Sequence, residues 1–222
     1  MLAKKTKIKK KNQDQILCSI RDRIIDGYYR PGSKLVVSDL ANEYAVSRSM
    51  LAEVFVHLET QKLIKKEPYK GYVVREVNLE NLLEIMDIRE VLEGLAVRLA
   101  TENSSPEDWA DLEKEINESW DDIIKNYQFE KHLELSIKFR NKIFDAAKNK
   151  ELSDLTNNLF AIILIVQRRI AILPGRMKSS AEEQRQVLRA IIEGNASEAE
   201  RLKRLNIKSG KEYLQKYKDW II

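Results

Sequence analysis

From residue 79 to residue 218, apolar side chains recur at three- and four-residue spacing in six successive stretches, and almost nothing alternates with the two-residue period of a strand. The approximate spans are 79–101, 106–126, 129–148, 151–172, 180–194 and 196–218. Ser105 before Pro106 suits a helix start, because a serine oxygen accepts from first-turn N–H groups and proline has no N–H to leave unpaired there. Leu173, Pro174 and Gly175 end the fourth stretch, and Gly194 with Asn195 divides the fifth from the sixth. Amphipathic helices of this number bury their apolar stripes only against one another, so the spacing predicts an all-helical, six-helix bundle over residues 77–222.

The first third of the chain is built differently. Ile16, Leu17, Ile20 and Ile24 predict a helix ending near Asp26 and Gly27, and the turn GYYRPG follows. In LANEYAVSRSMLAEVFVHLETQKLI, residues 40–64, Leu40, Ala41 and Tyr44 mark a two-turn helix that breaks at Ala45 and Val46. A third helix follows, with Leu51, Val54, Phe55 and Leu58 on its inner face and Ser47 as its cap. LIKKEPYKGYVVREV then reads as two short strands about a Pro-Tyr-Lys-Gly turn. Three helices and a hairpin over residues 13–76 fit a winged helix-turn-helix, which makes the chain mainly α. Residues 1–12, MLAKKTKIKKKN, are expected to be a flexible basic tail.

Charge divides the chain at the same place. Residues 1–76 hold 16 Lys or Arg against 9 Asp or Glu, and residues 77–222 hold 23 against 26. A basic front on a near-neutral body suggests that the front alone meets a polyanion. The longest apolar run, LFAIILIV at 159–166, is stopped by Gln167, Arg168 and Arg169, well short of a membrane span. The lysine-rich N-terminus lacks the apolar core of a secretory signal. Cys18 has no second cysteine to pair with, which points to a reducing cytoplasm.

In a helix-turn-helix the second helix lies in the major groove with its N-terminal residues at base edges. With Leu51, Phe55 and Leu58 turned inward, Arg48, Ser49 and Ala52 face outward. Arg48 can bond a guanine in two places or hold a phosphate, while Ser47 and Ser49 reach phosphates at the helix start. Lys34 and the wing residues Lys70, Gly71 and Tyr72 complete the expected DNA-contacting set. A small helical subdomain with an ordinary charged surface is the alternative. The hairpin and the charge split favour duplex DNA.

The run GYYRPGSKLVVSDLANEYAVSRSMLAEVFVHLETQKLIKKEPYKGYVV resembles the N-terminal domain of GntR-type bacterial transcription regulators, with PG, LA, VSR and the glycine of the wing in register. IMDIREVLEGLAVRLA, FRNKIFDAAKN and AIIEGNASEA resemble segments of the FCD effector domain in the FadR branch of that family. The resemblance implies a homodimer, a palindromic operator and a small organic acid as effector. One departure concerns DNA: after VSR the family usually has Thr-Pro-Val-Arg-Glu-Ala-Leu, so Ala52 stands where a DNA-contacting arginine is expected. The operator should therefore differ from the usual one.

A second departure concerns the effector site. Related FCD domains commonly hold a divalent metal through an Asp, a His four residues later, a His in the fifth helix and a His in the last. The matching positions are Ser136, Arg140, Gln184 and Asn206, none of them a good ligand, so no metal and no other cofactor is expected. His57 and His132 are the chain's two histidines, and neither aligns with a ligand position. Helical spacing alone also marks these positions. Ser136 and Arg140 interrupt the line Leu133, Ile143, Ala147; Gln184 precedes Val187 and Ile191; Asn206 follows Ala199 and Leu202; Arg89 interrupts Ile85, Leu92 and Ala96. Polar groups on core-facing stripes need partners, either one another in a vestigial cavity or an anionic ligand held by Arg140 together with Arg89.

The leading expectation is a ligand-responsive DNA-binding regulator. A DNA-binding regulator or architectural protein with a vestigial effector cavity is the runner-up. An enzyme is not expected, because the sequence offers no Cys or His nucleophile pair, no phosphate-binding glycine loop and no paired carboxylates.

Overall fold

The computed structural model describes residues 12–76 and 78–221, and the chain divides into two compact units at Glu76 and Val77. The expected tail at residues 1–11 lies outside the described residues. Asn12, counted with that tail, instead caps the first helix: its Oδ1 accepts from Gln15 N at 2.8 Å, and Asn12 N donates back to Gln15 Oε1 at 3.1 Å.

The first unit runs α1 (Gln13–Ile25), β1 (Lys34–Leu35), α2 (Val37–Glu43), α3 (Arg48–Thr60), β2 (Ile64–Glu67) and β3 (Gly71–Val74). Ile16, Ile20, Leu51, Val54, Phe55 and Leu58 are fully buried and form the seam between α1 and α3. The turn between α2 and α3 passes through Ala45 at φ 54°, a left-handed conformation that ends α2 sharply. Ser47 Oγ then accepts from Met50 N at 3.2 Å and starts α3. Arg23 on α1 pairs with Glu43 on α2 and bonds Tyr29 at 3.1 Å, and Ser19 bonds Tyr44 at 2.9 Å. These bonds tie α1 to α2 and to the turn after α1. Beside the expected hairpin there is a third strand: β1 pairs antiparallel with β3, Lys34 opposite Val73 and Leu35 opposite Tyr72. The order is β1-β3-β2.

The second unit contains α4 (Leu79–Asn103), a 3-10 turn (Pro106–Trp109), α5 (Ala110–Lys125), α6 (Phe129–Ala147), α7 (Lys150–Ala171), α8 (Arg176–Ile192), α9 (Ala196–Lys216) and α10 (Lys218–Ile221). The six expected helices are present, with adjusted ends. The second opens as a 3-10 turn, and the fifth begins at Arg176 instead of residue 180, because Gly175 at φ 78° restarts a helix directly after Pro174. The last breaks at Tyr217 before a short α10.

One apolar cluster holds Trp109, Trp120, Phe139, Ile143 and Val187. A second holds Leu82, Met86, Ile163, Ile207 and Leu214. Helices α4 and α9 lie close together because α4 carries Gly94 at the contact: a Cβ there would sit 2.9 Å from Arg204 Cγ. This approach brings the polar residues of α4 and α9 face to face. No helix among the described residues is long and apolar enough to cross a membrane.

Candidate functional site

The outer face of α3 presents Arg48, Ser49 and Ala52, all exposed, above a fully buried inner face. Ser47 and Ser49 hydroxyls bond each other at 3.0 Å, so the N-terminus of α3 offers free backbone N–H groups, two hydroxyls and a guanidinium together. Lys34 is exposed on β1 in the same sheet as the wing. At the wing, Glu67 draws in two lysines, Lys65 at 2.8 Å and Lys70 at 3.0 Å, and these hold its carboxyl below the usual range. Gly71 at φ 81° closes the turn. Tyr72 is half-buried on β3. It packs edge-on against Phe55 with centroids 4.9 Å apart, and the aromatic at the hairpin tip is the fully exposed Tyr69.

In the helical unit a cavity of about 110 Å³ is lined by all five residues singled out for an effector: Arg89, Ser136, Arg140, Gln184 and Asn206. Single ordered waters need only ~10–15 Å³ on the same measure, so the space suits a small organic molecule. Four ionisable lining residues lie outside the set singled out from the sequence, Glu93, His132, Arg176 and Lys203, and so do the uncharged polar residues Gln167 and Ser180.

Glu93 is the electrostatic centre of this wall. Its Oε1 accepts from Arg89 Nε at 2.7 Å, and Lys203 Nζ lies 3.0 Å from Oε2, with all three residues buried. Burial alone would raise the pKa of Glu93, but Arg89, Lys203 and Arg140 pull it down to about 2. Arg176 is compensated separately by Glu183 at 3.1 Å, and Glu183 also accepts from Asn206 at 2.7 Å and Ser209 at 2.7 Å. Gln184 Nε2 donates to Ser136 and Ser180, each at 3.0 Å.

Arg140 differs from its neighbours. Nη1 donates to Asn157 Oδ1 at 3.0 Å, and the guanidinium lies between the rings of Phe144 and Phe160, at 4.4 and 4.1 Å from their centroids. Its Nε and Nη2 have no partner among the described residues, although the side chain is only 5% exposed. Desolvation lowers its pKa to about 10, with Glu93 opposing and Arg89 adding to the shift.

The residues at the family's metal positions do not fit a metal. They offer a hydroxyl, a guanidinium and two carboxamides, and a buried cation among them would repel a divalent ion. Among the described residues no group of three or more His, Cys, Asp or Glu is arranged to hold one.

His132 is buried against Trp120, and desolvation, reinforced by Arg176, lowers its pKa to about 4. A histidine held neutral in the fold and protonated when unfolded contributes stability above its unfolded pKa of 6.5, which is lost as pH falls towards 4. Melting temperature should therefore begin to fall below pH ~6.5 in the native protein. In His132→Phe it should hold until the carboxylates titrate. Parallel pH profiles for the two proteins would count against this assignment.

The description "Bacterial regulatory proteins, gntR family" matches residues 12–74, and "FCD domain" matches residues 84–208. The HTH-type transcriptional regulator YdhC of Bacillus subtilis is 28% identical over 149 residues, which cover 67% of this chain and 66% of that protein. The galactonate operon transcriptional repressor of Escherichia coli is 27% identical over 163 residues, 64% of this chain and 70% of that one. Among solved structures, Escherichia coli McbR/YncC superposes with a TM-score of 0.77 at 22% identity, covering 92% of this chain and 98% of that one. A Rhodococcus regulator superposes with a TM-score of 0.71 at 20% identity, with the same coverage. At that identity the two structures establish the fold alone.

Proposed function

The chain belongs to the GntR family of bacterial DNA-binding transcription regulators with an FCD domain, and from that premise we propose that its helical cavity binds a small carboxylate on Arg140, without a metal, and thereby changes the affinity of a homodimer for a two-fold operator. The observation that carries this reading is the pair of unpaired donors on a buried guanidinium lining the cavity. The large majority of buried side-chain polar groups find a partner, and an arginine edge with two adjacent N–H groups matches a carboxylate. A vestigial cavity would have closed its polar groups on one another. Much of this wall has done so, but Arg140 has not.

On the DNA side, the proposed contacts are Arg48 with Ser47 and Ser49 at the groove, and Lys34, Lys70 and Gly71 at the backbone. Tyr72 supports the wing through Phe55. Ala52 removes one arginine contact, worth ~1–3 kcal/mol if it reads a base, so the operator differs from that of relatives carrying arginine there. Linkage requires that the effector and DNA favour different arrangements of the protein.

The test is metal analysis combined with thermal unfolding. Purified protein should contain no stoichiometric zinc, nickel or manganese, and chelators should leave its melting temperature unchanged. A bound carboxylate at a hundred-fold excess over Kd should raise that temperature by roughly 5–10 °C. Arg140→Ala should lose the shift. Tightly held metal, or a full shift in Arg140→Ala, would overturn the reading.

A further inference from the structure

Besides Arg140, Glu93 Oε2, which faces Lys203, and His132 Nδ1, the cavity carries one more side chain with an unpaired group among the described residues, and that group is an acceptor. Phe160, Ile163, Gln167 and Ile170 line the cavity from one face of α7. Gln167 Oε1 is buried and has no partner among the described residues. Arg140 asks for an acceptor and Gln167 asks for a donor, so a simple carboxylate satisfies only half of the site. The missing donor is a hydroxyl or an amine, and the charge of the wall decides between them. Glu93 compensates only one of Arg89 and Lys203, Arg176 is matched by Glu183, and Arg140 has no carboxylate partner among the described residues. Two positive charges are therefore left over, which disfavours an ammonium group and leaves room for a dianion.

Resting on the anion-binding reading above, we infer that the effector is a short hydroxydicarboxylate: one carboxylate on the Nε and Nη2 edge of Arg140, the hydroxyl donating to Gln167 Oε1, and the second carboxylate facing Lys203 and Arg89. Met86, Ile163 and Ile207 supply the apolar wall against which its short carbon chain lies.

The test uses six probes in calorimetric titration of the full chain. Malate and 2-hydroxyglutarate carry the hydroxyl, succinate and glutarate lack it, and aspartate and glutamate replace it with an ammonium group. At least one hydroxy acid should bind about ten-fold or more tightly than both of its counterparts, the scale of one buried hydrogen bond gained or left unmade. Gln167→Leu should collapse that preference while leaving the affinity of succinate or glutarate unchanged, with helical content confirming the fold. Equal binding of hydroxy and deoxy acids, a preference that survives in Gln167→Leu, or no binding by any of the six would overturn the inference. Arg140→Ala separates the two layers. If it abolishes acid binding while no hydroxyl preference exists, the anion site stands and the hydroxydicarboxylate class falls. If acids bind Arg140→Ala as well as the native protein, the anion site itself falls.

Discussion

Glu93→Gln should destabilise the helical unit by about 3–5 kcal/mol and lower its melting temperature by roughly 6–20 °C. The size follows from what the substitution leaves behind. Glu93 is 1% exposed and lies between Arg89 and Lys203, which are 6% and 7% exposed, with Arg140 also close enough to lower its pKa. Glutamine keeps the shape and removes the charge, so these cations repel one another in a medium that screens them poorly. The same site has a pH signature. The Glu93 carboxyl is held at about 2 against 4.5 when unfolded, so its stabilisation is present above 4.5 and is lost as pH falls from 4.5 towards 2. Differential scanning calorimetry of the two proteins measures both effects. A melting temperature within about 2 °C of the native value would show that the cluster is far better solvated than its burial indicates.

Arg48→Ala should weaken specific operator binding at least about thirty-fold while leaving helical content and assembly intact. One arginine contact to a base is worth ~1–3 kcal/mol, and a two-fold complex loses it in both half-sites. The fold should not respond, because Arg48 is exposed and α3 is held from its other face by Leu51, Val54, Phe55 and Leu58, all fully buried. Fluorescence anisotropy on the selected operator and on a scrambled duplex separates base reading from phosphate attraction. Loss on the operator with little change on the scrambled duplex is the expected pattern. Unchanged operator affinity would remove Arg48 from the groove.

Much of this architecture could be read from spacing. The inner face of α3, its Ser47 cap and the break at Ala45 occur where the apolar periodicity and the capping chemistry put them. Strand β1 was not legible, because a two-residue strand has no alternation to detect and exists only through its pairing with β3. The start of α8 was hidden because Pro174-Gly175 reads as a terminator, and Arg176 was lost with it.

The five expected pocket residues share one cavity because each broke an apolar stripe. Glu93 and Lys203 escaped for the opposite reason. Charges on amphipathic helices are usually solvated, and only the approach of α4 to α9 at Gly94 turns these two inward. A sharper sign was present in hindsight: Arg89 and Glu93 stand four residues apart beside Ile85, Leu92 and Ala96, and a matched pair on a core face is a buried pair. The unpaired donors of Arg140 and the unpaired acceptor of Gln167 could not be read from spacing, because whether a group has a partner is decided only when α6 and α7 pack.

In the proposed function, a carboxylate held by Arg140, with no metal, controls DNA binding. The most direct measurement is an operator-binding curve for chelator-treated protein, with and without a saturating carboxylate effector, for the native chain and for Arg140→Ala. The native protein should change its operator affinity on adding the acid, and Arg140→Ala should keep the ligand-free affinity under both conditions. An undiminished effector response in Arg140→Ala, or a native response that disappears on chelation and returns with added metal, would contradict it.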